Sequence, residues 1–106
     1  HLAWIEPCGN TQIEAMASGL PVICCNNGGI GETVNNASGG IVVESDLNYK
    51  YDLIDYYNPP EPDYLKVINS IELIFSDLNK YKNKINYEEI NIDLAAKKYV
   101  DFIRSL

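Results

Sequence analysis

The first 46 residues alternate short apolar runs with glycine-rich turns and short helical patterns, and this alternation constrains the fold more than any other feature. Three apolar runs are predicted strands, at residues 2–5, 21–25 and 40–44. The middle run has no polar residue, which is typical of a strand buried on both faces of a parallel sheet. Helical spacing fills both intervals, from Thr11 to Ser18 and through Glu32 and Val34. This order predicts a parallel βαβαβ unit, half of a doubly wound α/β sheet.

The remaining residues predict a different organisation. Residues 47–62 mix tyrosines with acids and end in prolines, which indicates a surface excursion. Asp63 is placed to cap a helix with an apolar stripe at Leu65, Ile68, Ile71, Phe75 and Leu78. Residues 79–91 are polar and predict a loop. Asp93 is placed to cap a last helix with one apolar face, at Ala96, Tyr99, Val100, Ile103 and Leu106. We therefore predict one domain in three parts, with residues 1–46 as the core, 47–62 as a loop and 63–106 as two amphipathic helices.

Charge and composition argue against several classes of function. The formal net charge of −7 argues against a nucleic acid or an anionic membrane surface as a partner, because phosphate attracts basic faces. No apolar run approaches the roughly 18 residues of a transmembrane segment. The first residues lack the features of a secretory signal, so we expect a cytoplasmic location. Cys8, Cys24 and Cys25 are odd in number and lack metal-ligand spacing, so we expect free thiols and no metal site.

The most informative segment follows the first predicted strand. Ligands of open α/β sheets bind beyond the carboxyl ends of the strands, and there Glu6 leads through Gly9 into a helix. A glycine lets the backbone approach a ligand closely, and the N–H groups of a helix N-terminus attract an anion such as phosphate. Glu6 would accept hydrogen bonds from sugar hydroxyl groups. These residues alone predict a phosphate or sugar-phosphate site.

The segment from Glu6 to Val34 also carries a family resemblance. It reads E-P-C-G-N-T-Q-I-E-A-M-A-S-G-L-P-V-I-C-C-N-N-G-G-I-G-E-T-V. It resembles the donor-binding segment of the group 1 glycosyltransferases, glycosyltransferase family four, with Glu6 and Glu14 at the ends of that family's E-x7-E motif. The E-P-C-G-x-T-Q part is similar to the glycogen and starch synthases, which share the fold and carry Pro7 and Cys8. Those synthases usually have a different residue at the position of Glu14, so family four is the better match.

The resemblance implies the C-terminal domain of a GT-B fold, which is Rossmann-like, and retaining transfer of a sugar from a nucleotide-sugar. It implies that Glu6 is catalytic, because it would orient the donor sugar and stabilise positive charge at the anomeric carbon. Glu14 would reach the ribose, and the diphosphate would lie on the backbone of the helix start. The implied donor site is Glu6, Gly9, Asn10, Thr11, Gln12 and Glu14, with Gly28, Gly29 and Glu32 as further candidates. The nucleotide-sugar is a substrate, and no cofactor or metal is implied.

The same resemblance places the acceptor outside this chain. In such enzymes an N-terminal domain binds the acceptor, here a saccharide, lipid or protein, and upstream basic residues neutralise the diphosphate. We therefore expect residues 1–106 alone to be inactive and to bind a donor weakly. A strand at residues 2–5 would also leave an unpaired edge, which favours a homodimer.

Plainer interpretations compete with these roles. Thr11 and Glu14 have the spacing of a capping box, in which Glu14 bonds back to the helix N-terminus. Glu6 is alternatively a solvated acid, Cys8 a spectator, and the tyrosines at 49–57 a packed loop rather than a sugar-stacking surface. The alternative functions are a nucleotide-sugar epimerase or phosphorylase of the same fold, or a non-catalytic binding or interaction module.

Overall fold

The chain has the predicted α/β architecture, and the computed structural model describes residues 1–45, 55 and 57–106. Its elements in chain order are α1 (Asn10–Ala17), β1 (Val22–Cys25), α2 (Gly29–Asn36), β2 (Gly40–Val43), α3 (Tyr64–Ser76), α4 (Leu78–Lys84), a 3-10 helix (Tyr87–Ile90) and α5 (Ile92–Ser105). Within these ranges the sheet has two strands, not the three that the apolar runs predict.

The two strands form a parallel pair. Val22 lies opposite Gly40 and Cys25 lies opposite Val43. Between them α2 contacts both strands, because a parallel neighbour can be reached only by a crossover that returns the chain to the same end of the sheet. The strand–helix–strand part of the predicted unit is therefore confirmed.

The predicted first strand is wrong. Residues 2–5 run beside β1 without forming a strand. The backbone N–H of Glu6 donates to Asn27 O at 3.1 Å, and the amine of His1 donates to Ile23 O at 2.8 Å. Residues 2–5 nevertheless lack the regular ladder that defines a strand. The edge from which we predicted a homodimer is therefore not a formed strand.

The hydrophobic core lies on both faces of the sheet. One cluster of buried residues joins α1, α2 and β1, and consists of Met16, Val22, Cys24, Ile30, Val34, Ala37 and Ile85. The other cluster, on the opposite face, consists of Cys25, Val43 and Val67. Adjacent residues of a strand point to opposite faces, so Cys24 and Cys25 divide between the clusters as expected. Burial raises the pKa of the Cys24 thiol to about 11 and also raises that of Cys25.

The end of α1 is a Schellman motif, as its glycine predicts. Gly19 has φ +78°, and its N–H donates to Met16 O at 2.9 Å. The N–H of Leu20 donates to Ala15 O at 2.9 Å. This pair of bonds satisfies carbonyls that the helix end would otherwise leave unpaired, and it needs a left-handed residue where glycine is favoured. The turn directs the chain straight into β1.

The start of α3 is confirmed, but its buried face is not the one predicted. Asp63 Oδ1 accepts a hydrogen bond from Lys66 N at 3.0 Å and caps the helix. The face against the sheet is Val67, Ser70 and Ile74. The predicted stripe from Leu65 to Leu78 is exposed instead. The apolar residues of α3 occupy more than one face, so their spacing alone did not identify the side on which β2 lies.

The predicted loop at residues 79–91 is also wrong. The segment forms α4 and the 3-10 helix, each with a side-chain cap. Asp77 Oδ1 accepts from Lys80 N at 3.0 Å, and Asn86 Oδ1 accepts from Glu88 N at 3.1 Å. Between the two helices Ile85 is 5% exposed and enters the first core cluster. One buried side chain and two caps order a segment whose composition is polar.

The last helix begins at a different cap from the one predicted. The side chain of Asn91, not Asp93, accepts the first free N–H groups, at 2.9 Å from Asp93 N and 3.3 Å from Leu94 N. The described C-terminal part thus has three α-helices where two were predicted. The predicted apolar face of α5 is present but exposed, and Tyr99, Ile103 and Leu106 are each more than half exposed.

Two remaining predictions concern the loop and the membrane. Most of the predicted excursion at 47–62, including Tyr49, Tyr51 and Tyr56, lies outside the described residues. Of the tyrosines in question, the described Tyr57 is 95% exposed. None of the described helices has the length and hydropathy needed to span a bilayer.

Candidate functional site

The backbone of Glu6 and Pro7 is hydrogen-bonded to the start of α2. The carbonyl of Glu6 accepts from Ile30 N at 3.2 Å, and the carbonyl of Pro7 accepts from Gly29 N at 3.1 Å. Together with the bond from Glu6 N to Asn27 O, these contacts place Glu6 just beyond the carboxyl end of β1. Glu6 therefore lies beyond the carboxyl end of a strand, as predicted, although residues 2–5 do not form a strand themselves.

Two glycines make this approach sterically possible. Gly28 has φ +88°, and a Cβ built on it would overlap the carbonyl oxygen of Glu6 and lie 2.7 Å from its carbonyl carbon. A Cβ on Gly29 would overlap the carbonyl oxygen of Pro7. These neighbours are backbone atoms, which cannot rotate away as the end of a side chain can. The structure thus brings Gly28 and Gly29 to Glu6, where their contacts support its backbone.

The Glu6 carboxylate lies in a tight turn at the protein surface. Its Oε1 accepts from Cys8 N at 3.2 Å, and its Oε2 is 4.0 Å from His1 Nε2. The side chain is 28% exposed. Pro7 fixes one backbone torsion between the two bonded residues. The carboxylate is thus restrained by the chain on both sides and still accessible to a ligand.

Beside this carboxylate α1 begins with an uncapped N-terminus. Gly9 is the N-cap and supplies no side-chain hydrogen bond, and the first turn contains no acid. Among the described residues, the N–H groups of Asn10, Thr11 and Gln12 have no acceptor outside the helix. Free N–H groups and the helix dipole make such an end attractive to an anion. A Cβ on Gly9 would lie 3.0 Å from Glu6 Cγ, so this helix N-terminus and the Glu6 side chain are adjacent.

The capping-box alternative for Glu14 is wrong. Because α1 begins at Asn10 and its N-cap is Gly9, Thr11 lies inside the first turn and cannot cap the helix. Glu14 lies one turn after Asn10 on the same face of the helix, and both side chains are exposed. The Glu14 carboxylate has no hydrogen bond to any described residue. It is accessible to a ligand that extends along α1 from the helix N-terminus.

Gln12 differs from the other predicted donor-binding residues because it is buried. It is 1% exposed, and neither atom of its amide has a hydrogen-bond partner among the described residues. A Cβ built on Gly9 would lie 2.5 Å from Gln12 Oε1. The amide therefore lies directly beneath the loop that carries the candidate site.

A second polar group lies where the two strands end, beyond their carboxyl ends. Asn26 Nδ2 donates to both carboxylate oxygens of Glu44, at 3.2 and 3.4 Å, and Asn27 Nδ2 donates to Ser45 Oγ at 2.6 Å. The residues that follow Cys25 and Val43 are brought together by the strand register, which could not be known before the strands were paired. Glu32, the remaining candidate, is exposed in the first turn of α2 and makes no hydrogen bond to a described residue.

Comparison with known proteins finds sequences similar to the segment that carries these residues. The family model for glycosyl transferases group 1 matches residues 1–52. The chain is 45% identical over 42 residues to the Bacillus subtilis (strain 168) protein named "Putative glycosyltransferase YtcC", covering 40% of this chain and 10% of that protein. It is 32% identical over 68 residues to spore coat protein SA of the same strain, covering 64% of this chain and 15% of that protein. No solved structure matches with comparable significance.

The match to the family model spans α1, both strands and every candidate site residue from Glu6 to Glu32. The chain covers only about a tenth to a seventh of the length of these two relatives. Within that span, the match and the two relatives lead to one conclusion: through residues 1–52, this chain belongs to the group 1 glycosyltransferase family.

Proposed function

We propose that this chain forms part of the donor site of a retaining glycosyltransferase with a GT-B fold. The enzyme would move a sugar from a nucleotide-sugar to a saccharide, lipid or protein acceptor. One observation supports this above the others: the Glu6 carboxylate is restrained next to the uncapped N-terminus of α1. A carboxylate beside free N–H groups suits a ligand that has hydroxyl groups next to a phosphate.

The proposed roles follow the order of groups in the donor. The diphosphate binds the free N–H groups from Gly9 to Gln12, where the positive end of the helix dipole stabilises its charge. The sugar lies over Glu6, whose exposed carboxylate accepts bonds from its hydroxyl groups. The ribose lies toward Glu14, one turn further along the same helix. Gly28 and Gly29 pack against the backbone of Glu6 and Pro7 and so hold Glu6 in position. Glu32 is the most peripheral of the candidates.

In the transfer step the bond between the anomeric carbon and the donor phosphate oxygen breaks. Positive charge develops on the sugar, and Glu6 stabilises it electrostatically without acting as the nucleophile. Negative charge develops on the leaving diphosphate, and the N-terminus of α1 stabilises it. The leaving phosphate takes the proton of the acceptor hydroxyl as the new glycosidic bond forms on the same face of the sugar. Hydrogen-bond donors and charges that are already in position before the reaction commonly contribute a large part of such catalysis.

We further propose that residues 1–106 need the rest of a longer protein for turnover. The relatives are seven to ten times as long as the matched segments. All the described Lys and Arg side chains lie on α3, α4 and α5, on the C-terminal side of the donor motif. A cytoplasmic location and a homodimer through the segment at residues 2–5, which does not form the predicted strand, stay predictions.

The test is nucleotide-sugar binding by the full-length protein and its Glu6→Gln variant. We expect Glu6→Gln to weaken binding of the nucleotide-sugar and to leave binding of the nucleoside diphosphate nearly unchanged, because the diphosphate lacks the sugar that Glu6 contacts. Glu72→Gln is the matched control, since Glu72 is an exposed acid on α3. Equal affinities of wild type and Glu6→Gln for the nucleotide-sugar would remove the proposed role of Glu6. Formation of an epimeric nucleotide-sugar without an acceptor would identify an epimerase instead.

A further inference from the structure

Gln12 is a polar residue at a buried position where an apolar side chain is expected. It lies one turn before Met16 on the buried face of α1, and both residues are essentially inaccessible to solvent. Neither Nε2 nor Oε1 has a hydrogen-bond partner in the described part of the chain. An amide buried without partners is strongly unfavourable, whereas an apolar side chain of the same shape would fill the position without that penalty. A buried, unsatisfied polar group of this kind calls for a functional explanation.

The amide of Gln12 and the side chain of Glu6 converge on the same point. A Cβ built on Gly9 would be 2.5 Å from Gln12 Oε1, 3.0 Å from Glu6 Cγ and 3.1 Å from Glu6 Cδ. The absence of a side chain at Gly9 therefore leaves the two groups room to approach each other. The oxygen and nitrogen of an amide exchange places on rotation by half a turn. Such a rotation would place Nε2, a buried donor without a partner among the described residues, on the side that faces Gly9 and Glu6.

We propose that Gln12 is a positioning residue that donates a hydrogen bond from Nε2 to the Glu6 carboxylate when a nucleotide-sugar is bound. This inference rests on the proposed function and assigns Gln12 a more specific role than contact with the donor. Glu6 accepts from the N–H of Cys8 and lies near His1. A diphosphate at the N-terminus of α1 adds negative charge beside Glu6 and repels it. A donor from the protein interior offsets that repulsion and holds the carboxylate toward the sugar, and such a bond is strong where water is excluded.

The experiment compares two affinities in the full-length protein by titration calorimetry. UDP-glucose, ADP-glucose and GDP-mannose are each tested on the wild type, with UDP, ADP and GDP as their sugar-free counterparts. The pair that binds best is then used for every variant. Gln12→Met removes the amide and keeps the length of the side chain, and Met16→Leu is the matched control for repacking of the same helix face. If Gln12→Met lowers the melting temperature, Gln12→Leu supplies the same comparison.

We expect Gln12→Met to raise the Kd of the nucleotide-sugar by about tenfold, the effect of losing one charge-assisted hydrogen bond. The Kd of the nucleoside diphosphate should change by less than about twofold, because Gln12 acts through Glu6 and Glu6 contacts the sugar. The melting temperature should stay the same or rise, since an unsatisfied amide is removed. A purely structural role would change the two Kd values together. In a Glu6→Gln background, Gln12→Met should have little further effect.

The ratio to compare is the Kd of the nucleotide-sugar divided by the Kd of the nucleoside diphosphate. If this ratio is unchanged in Gln12→Met but raised in Glu6→Gln, the role of Gln12 is overturned and the proposed function is left intact. A tenfold effect that persists in the Glu6→Gln background also overturns it, because Gln12 would then act independently of Glu6. If no nucleotide-sugar binds the wild type, or if Glu6→Gln alone has no effect, the proposed function fails and this inference fails with it.

Discussion

Replacement of Gly28 by alanine tests whether the glycine pair positions Glu6. The backbone of Gly28 has φ +88° and ψ −170°, a region that is almost restricted to glycine. Placing alanine there is unfavourable by about 1–3 kcal/mol. The new Cβ would also lie 2.7 Å from the carbonyl carbon of Glu6 and closer still to its oxygen. Relief of such an overlap by backbone movement adds about 1–3 kcal/mol. We therefore expect Gly28→Ala to lower the free energy of unfolding by about 2–6 kcal/mol.

The matched control is Gly19→Ala. Gly19 also has a positive φ, +78°, but its Cβ would meet the Tyr87 hydroxyl at 3.4 Å and Lys82 Cε at 3.9 Å, both ordinary contact distances. The conformational penalty alone is about 1–2 kcal/mol. The difference between the two variants therefore contains the collision with Glu6 and the difference between the two conformational penalties, which are about 1–3 kcal/mol at Gly28 and about 1–2 kcal/mol at Gly19.

The assay is urea unfolding followed by the fluorescence of Trp4, the single tryptophan of the sequence, which lies two residues before Glu6. Nucleotide-sugar affinity is measured in parallel, at a temperature where both variants are folded. We expect Gly28→Ala to lose affinity and Gly19→Ala to keep it. If Gly28→Ala proves no less stable than Gly19→Ala, or binds the donor as the wild type does, Gly28 does not hold Glu6 in place.

Three further predictions concern the cysteines and the last helix. Cys8 is exposed and Cys24 and Cys25 are buried, so iodoacetamide should label one thiol of the native protein, more slowly when a nucleotide-sugar is bound; labelling of all three at similar rates in intact-mass measurements would contradict the structure. Because burial raises the pKa of Cys24 from 9.0 to about 11, its contribution to stability is complete below pH 9 and is lost as the pH rises through 11, by about 2–3 kcal/mol. Urea unfolding between pH 8 and 11 should show this loss in the wild type and a smaller one in Cys24→Ala. If the free energy of unfolding falls equally steeply with pH in both proteins, the prediction is refuted. Asn91→Ala should reduce the helical signal at 222 nm more than Asp93→Ala does, because Asn91 supplies the cap, typically worth about 1 kcal/mol.

Local features were predictable where one residue determines the backbone. Gly19 ends α1 because a left-handed C-terminal turn favours glycine, and Asp63 begins α3 because its side chain can accept a free N–H. The apolar run before Asn26 could be assigned as a strand because it has no polar face. Each of these predictions depends on residues close together in the chain, and each was confirmed.

Features that depend on distant contacts could not be predicted in the same way. Residues 2–5 are as apolar as a strand, but strand formation requires a regular ladder with a neighbouring strand, and residues 2–5 do not form one. Residues 79–91 look like a loop until Ile85 is found in the core. The buried face of α3 depends on where Val67 meets Cys25 and Val43. In each case the missing information is the position of another element.

The same limit applies to the candidate site, where the N-termini of α1 and α2 have different roles. The sequence contains two glycine-preceded helix starts, at α1 and α2, and either has the N–H groups needed to bind an anion. The structure shows that the first N–H groups of α2 are already bonded to the carbonyls of Glu6 and Pro7. Of these two helix starts, α1 has N–H groups beside the Glu6 carboxylate that are not bonded to any described residue outside the helix. One helix start therefore positions the carboxylate, and the other remains available for the phosphate.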